Sequence, residues 1–296
     1  MSKRVFWFKR LLSFFLIVLI IAFGVFVIQR QHRNQPESVF FPNKIKVMTY
    51  NIHHGVGSDG VYSLSRIAQV IRDEDPQIVC LNEVDYQTQR TFGDDQVRKI
   101  ADELDMEYSF ARNFPLEGGW YGNAILTSFP IHFVENTIYK NHSPEETRGL
   151  LHMSLKMKKQ FLHIYATHLG VDSLESGAQT TELLSSILKW GVDDPVILAG
   201  DFNMEPRYQR IREILYYFKD NGSNLENVFT YPSPNPTKRI DFIFANESME
   251  LLSTSVISNS VTALASDHLP VVATYRIHHL ARKKPQTEAV EEAGQE

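Results

Sequence analysis

From Ile45 onward the chain is cut into short apolar runs, rich in β-branched and aromatic residues, separated by amphipathic stretches and turn residues. The runs that read as strands are Lys46–Tyr50, Gln77–Leu81, Asn123–Ser128, His132–Tyr139, Leu150–Met157, Phe161–His168, Pro195–Gly200, Ile240–Ala245, Leu251–Ile257 and Pro270–Tyr275. The stretches Leu64–Glu74, Gln96–Leu104, Gln179–Trp190 and Pro206–Phe218 read as helices; Leu64, Ile67, Val70 and Ile71 share one helical face. Strands this short cannot bury themselves, so they must pair into sheets and be covered by the interleaved helices. This predicts a single layered α/β (α+β) domain over 45–279. Cys80, the only cysteine, lies inside an apolar run and reads as a buried thiol without a disulfide partner.

The segment before this domain has a different solvent. Residues 11–28 read LLSFFLIVLIIAFGVFVI, and only Ser13 and Gly24 interrupt the strongly apolar run. At about 1.5 Å per residue such a helix spans roughly 27 Å, close to a bilayer core. No small-x-small cleavage pattern and no cysteine follow it, which favours an uncleaved single-pass anchor. Lys3, Arg4, Lys9 and Arg10 precede the run and Arg30 and Arg33 follow it, so residues 1–10 are expected in the cytoplasm and the rest outside. Residues 29–44 then read as a linker and 280–296 as a disordered tail. The formal charge of −5 divides accordingly into +7 for residues 1–46 and −12 for the remainder.

Chemistry-bearing residues gather at the ends of the predicted strands: Asn51, then Asn82 and Glu83, His168, Asp201 and Asn203, and the Ser266-Asp267-His268 triplet before the final strand. In layered α/β folds, strand ends form ligand crevices. Singly, each has a bland reading: an Asp after a strand caps a helix or a turn, and a lone His is a satisfied core residue. Glu83 resists that reading, because a carboxylate closing an apolar strand is costly to bury unpaired. Together they form the hard-oxygen set that Mg²⁺ prefers. A zinc ligand pair, a Walker loop, a dinucleotide loop and a serine nucleophile elbow are all absent.

Seven segments, in order, carry a family resemblance: Met48-Thr49-Tyr50-Asn51-Ile52-His53, Val79-Cys80-Leu81-Asn82-Glu83-Val84, Gly122-Asn123-Ala124-Ile125-Leu126, Thr167-His168-Leu169-Gly170, Ala199-Gly200-Asp201-Phe202-Asn203, Arg239-Ile240-Asp241-Phe242-Ile243 and Ser266-Asp267-His268-Leu269-Pro270. The chain resembles the endonuclease/exonuclease/phosphatase superfamily of metal-dependent phosphoesterases, the deoxyribonuclease-I-like fold. The resemblance implies a four-layer sandwich of two mainly antiparallel sheets flanked by helices. It also implies Mg²⁺, with Mn²⁺ as an alternative, held by Glu83 with Asn51 and Asp267. Asp201 would orient or deprotonate the attacking water, Asn203 would hold a phosphate oxygen, His268 oriented by Asp241 would meet the charged phosphoryl group, and His168 would contact the phosphate or leaving group. Asn123 and Arg148 are implied substrate contacts, while His53 and His54 line the pocket or merely form a turn. In place of the family's Arg-x-x-Gln after Thr-His-Leu, the chain has Ser176-Gly177-Ala178-Gln179.

The expected function is therefore a membrane-anchored, metal-dependent phosphoesterase, with no obligate protein partner evident. Its substrate is left open among nucleic acid or nucleotide, a lipid head group and a small phosphoester. Residues 47–281 carry a formal charge of −11, against the basic surface that nucleic-acid binding draws on. A tethered domain lies near lipid head groups, and Gly118-Gly119-Trp120-Tyr121 is either a small aromatic hairpin for such a substrate or, directly before the Gly122-Asn123 motif, a part of the pocket lining. The competing class is a catalytically inactive binding module on a stalk. It is disfavoured because Glu83, Asp201, Asn203, Asp241, Asp267 and His268 are all present.

Overall fold

The computed structural model describes residues 42–140, 146–157, 160–223, 225 and 228–278. The expected anchor over 11–28 and the expected tail over 280–296 lie outside the described residues, as does most of the 29–44 linker. Among the described residues no helix is long and apolar enough to cross a membrane. The elements, in chain order, are β1 (Lys44–Asn51), α1 (Leu64–Glu74), β2 (Ile78–Tyr86), α2 (Gln96–Leu104), β3 (Glu107–Leu116), β4 (Gly119–Thr127), β5 (Ile131–Ile138), β6 (Gly149–Lys156), β7 (Phe161–His168), α3 (Ser173–Trp190), β8 (Val196–Asp201), α4 (Gln209–Leu215), β9 (Lys219–Asp220), β10 (Asp241–Ala245), β11 (Met249–Val256), α5 (Thr262–Ala265) and β12 (Val271–Ile277).

They form two six-stranded sheets, ordered β11-β12-β1-β2-β4-β3 and β5-β6-β7-β8-β10-β9. Every neighbouring pair is antiparallel except β1 with β2 and β7 with β8. The sheets are therefore mixed rather than purely antiparallel. Each parallel pair joins a strand to its successor through a covering helix, as parallel neighbours require.

Strand periodicity decides what lies between the sheets. In β1, Met48 and Tyr50 pack outward with α1 and α2, so Val47, Thr49 and Asn51 face the other sheet. In β8 and β10, Leu198, Phe242 and Phe244 pack outward with α3 and α4, which turns Ala199, Asp201, Asp241 and Ile243 inward. The sheets meet through β1, β2 and β4 on one side and β6, β7, β8 and β10 on the other. β1, β7 and β8 thus deliver their last residues, Asn51, His168 and Asp201, and the antiparallel β10 its first, Asp241, to one end of the same interface, and that end holds the site.

Three differences from the sequence reading have local causes. β3 is an edge strand interrupted by Arg112, Asn113 and Pro115, which hide its pattern; a proline is tolerated there because an edge leaves a backbone position unpaired. β2 continues past Leu81 to Tyr86 through a register shift between Leu81 and Val84. α3 starts at Ser173 rather than Gln179, because the Asp172 carboxylate accepts from the backbone N–H groups of Leu174 and Glu175 and caps it.

Candidate active site

At that end of the sheet interface lies a cavity of about 680 Å³, lined among others by His53, His54, Glu83, Arg90, Tyr121, Glu146, Arg148, His168, Asp201, Asn203, Lys238, Asp267 and His268. Its floor is a chain of buried amides and carboxylates. Asn51 Nδ2 donates to Glu83 Oε1 and to Asp201 Oδ2, each at 3.0 Å, and its Oδ1 accepts from the His53 N–H at 3.1 Å. One side-chain amide therefore joins a carboxylate from each sheet.

Glu83 reaches this position through the β2 irregularity. Strict alternation would send it outward with Val79 and Leu81. Instead it takes a left-handed φ of 57° inside the register shift, a conformation that costs energy for a residue with a Cβ and recurs at functional sites. Asn203, at φ 50°, is turned the same way. Its Nδ2 donates to Leu169 O at 2.9 Å and to His168 Nε2 at 3.1 Å, while its backbone N–H donates to Asp201 Oδ1 at 2.9 Å.

Asp201 is buried between two imidazoles, with His168 Nε2 at 3.5 Å and His268 Nε2 at 3.7 Å. Burial, then the charge of Asp241, push its carboxyl up to about 7. His268 Nδ1 donates to Asp241 Oδ2 at 2.8 Å, which fixes the ring and leaves Nε2 toward Asp201. Burial opposes the charged form of His268, but Asp241, Asp201 and Asp267 outweigh it and raise the ring to about 10. His168 goes the other way: burial, Arg148 and His268 hold it neutral, well below its ordinary value. The site therefore pairs a neutral imidazole with a charged one on either side of one carboxylate.

Asp267 lies on the cavity wall, partly exposed, with Oδ1 4.0 Å from His53 Nδ1. Its neighbour Ser266 donates to Asn51 O at 2.7 Å and ties the segment to β1. Of the expected metal ligands, Glu83 and Asp267 line the cavity, whereas Asn51 is fully buried behind it and reaches it only through its hydrogen bond to Glu83. The residues present fit a divalent cation: the Glu83 and Asp267 carboxylates line the same cavity as Asp201, and acids gathered in this way call for a positive charge among them. Arg148 is buried in the wall, with Nη2 on Glu146 Oε2 at 3.0 Å and Nη1 without a hydrogen-bond partner.

Asn123, expected to touch substrate, does not line the cavity. It accepts from Asn82 Nδ2 at 2.9 Å and donates to Gly149 O at 3.2 Å, bridging β4 to β6. Asn82 itself also donates to Thr167 O and accepts from the Asp201 N–H. Gln179, the retained end of the altered helix motif, is a buried brace: its Oε1 accepts from the Gly170 N–H at 2.8 Å. Arg90, Glu146 and Lys238 were not anticipated, since isolated charged residues in loops carry no sequence pattern. Trp120 and Tyr121 do not form an apolar hairpin: Tyr121 is buried in the cavity wall and the Arg112 guanidinium lies 5.9 Å from the Trp120 ring.

The model of the Endonuclease/Exonuclease/phosphatase family matches residues 48–268. The uncharacterized protein YbhP of Escherichia coli (strain K12) is 26% identical over 247 residues, covering 77% of this chain and 94% of that protein. A functionally unknown conserved protein from Enterococcus faecalis V583 superposes with a TM-score of 0.68 at 20% identity, over 79% of this chain and all (100%) of the other. Truncated Caenorhabditis elegans TDP2 superposes with a TM-score of 0.60 at 20% identity, over 79% and 97%. The chain belongs to the endonuclease/exonuclease/phosphatase family and, with it, to the metal-dependent hydrolases of phosphoric ester bonds.

Proposed function

We propose that this chain is a membrane-anchored phosphoesterase, acting outside the cytoplasm, in which Mg²⁺ sits among Glu83, Asn51 and Asp267. When bound, the cation neutralises charge that develops on the phosphoryl oxygens. The observation that carries the reading is the Asp201 carboxylate held between His168, His268 and the Asn51 amide. A carboxyl raised to about 7 by burial suits a base that takes a proton from water near neutral pH. The His268 imidazolium, oriented by Asp241, donates to a phosphoryl oxygen. Asn203 offers a phosphate oxygen the hydrogen it now gives to His168 Nε2, and Arg148 offers its unpartnered Nη1.

A phosphodiester of a lipid head group is the second reading. Val171 lines the cavity and is 76% exposed, and Leu174, three residues on, is 82% exposed. Apolar side chains at the mouth of a phosphate pocket suit a lipid interface better than a polyanion. The test is hydrolysis by the full-length chain of duplex DNA, RNA, sphingomyelin and phosphatidylinositol vesicles, and sugar phosphates, each with Mg²⁺ and with EDTA. Cleavage of lipid vesicles that falls about tenfold in Leu174→Asp supports the lipid reading; cleavage of nucleic acid alone removes it. Protease digestion of intact cells from outside tests the orientation and should reach the 45–279 region.

A further inference from the structure

Beside Glu83, on the wall of the same cavity, stand two histidines that the proposed reaction does not use. One donor atom from each of His53, His54 and Glu83 lies within 4.8 Å of the other two. Ligands at about 2.0–2.2 Å from a metal sit roughly 3–4 Å apart, so this set closes on an ion with small side-chain rotations. The His-His turn is held rigidly in a backbone shape that two residues with Cβ atoms adopt at a cost: His53 has φ 44° and His54 φ 43°. Asn51 Oδ1 accepts from the His53 N–H, and buried Gln96 donates through Nε2 to His54 O at 2.7 Å and accepts through Oε1 from the Asp85 N–H of β2 at 2.7 Å. The turn and the Glu83 bulge are thus braced against each other.

The rings are prepared for a metal as well. His53 Nδ1 donates to Val56 O at 3.0 Å, so the neutral ring keeps its lone pair on Nε2; a backbone carbonyl in this role is the usual partner of a ligating imidazole. His54 Nδ1 is buried and has no hydrogen-bond partner, a state that native structures rarely leave unexplained. Imidazoles favour first-row transition ions over Mg²⁺.

We propose that His53, His54 and Glu83 form a binding site for a divalent transition ion of the Mn²⁺, Co²⁺ or Zn²⁺ class, adjoining the Mg²⁺ position and sharing Glu83 with it. The site rests on the functional reading only through Glu83. The test is Co²⁺ titration of the metal-free, untagged full-length chain in excess Mg²⁺, followed by the visible absorption of bound Co²⁺ and by paramagnetic shifts of the histidine ring protons. Saturable uptake, with ring protons of two adjacent histidines shifted and lost together in His53→Ala and His54→Ala, is expected. Each substitution should weaken Co²⁺ binding at least tenfold, with unaltered thermal unfolding of the metal-free chain. Equal Co²⁺ affinity in both variants, or wild-type binding that shifts no histidine ring, overturns the site. Absence of Co²⁺ uptake beside intact Mg²⁺-dependent hydrolysis overturns this site alone. Uptake by a chain that hydrolyses no phosphate ester supports the site and removes the functional reading instead.

Discussion

In the proposed mechanism His268 and Asp201 carry the chemistry, and Asp241, which need not touch substrate, tunes both. Asp241 holds His268 charged against the effect of burial. A ring raised to about 10 contributes interaction energy that is complete below about 6.5 and lost as pH rises through about 10. Asp241→Asn removes the main raising influence, so the alkaline limit of kcat/KM should move downward, and the acidic limit, set by Asp201, should shift as well because the same charge raises that carboxyl; a pH–rate profile of the variant measures this. Asp201→Ala and His268→Ala should each lower kcat by about 10²–10⁴, whereas Arg148→Ala should act mainly on KM. Asn82 links Asp201, Asn123 and Thr167 across the two sheets, and Asn82→Ala leaves these buried groups unpaired, at a cost of about 1–3 kcal/mol for each group left unsatisfied. Denaturant unfolding reads that loss.

Among the elements, the strands that frame the site were legible because β-branched runs ended on polar residues, and their period of two already turned Asn51, Asp201 and Asp241 to one side. What sequence could not express was the backbone that aims Glu83, His53, His54 and Asn203. All four take positive φ without being glycine, so no composition marks them, and tertiary bonds such as Gln96 to His54 O impose the conformation. Asn123 shows a related ambiguity: an amide in a strand looks the same in sequence whether it meets a ligand or, as here, bridges to a neighbouring sheet. Gly200 is the opposite case, where the residue type is explained by its surroundings. It has φ 147°, and a Cβ there would lie 1.9 Å from Thr167 O of the parallel neighbour β7. Gly200→Ala should destabilise the fold by about 3 kcal/mol or more and displace Asp201, measured as a lowered unfolding midpoint together with reduced kcat.

For the whole molecule, one consequence follows from where charge is kept out. Under α3, His152 and His163 share a 2.9 Å hydrogen bond, and burial holds both below their ordinary value, His152 at about 3. Their rings ionise more readily in the unfolded chain, so stability is complete above about 6.5 and falls as pH drops toward the folded values. The slope is about 1.4 kcal/mol per pH unit for each proton taken up, and His152→Gln should flatten it in thermal unfolding between pH 6.5 and 4. The mixed-sheet sandwich, meanwhile, brings residues from β2, β4, β7 and β8 and the loop before β12 to one cavity. That convergence is the basis for reading the chain as a phosphoesterase with Asp201 and His268 at its centre. The decisive measurement is the rate of phosphate-ester hydrolysis by the full-length chain with Mg²⁺, with EDTA, and in Asp201→Ala and His268→Ala. The account predicts hydrolysis that stops with EDTA, returns with Mg²⁺ and falls at least a hundredfold in both variants; undiminished hydrolysis in EDTA or in either variant contradicts it.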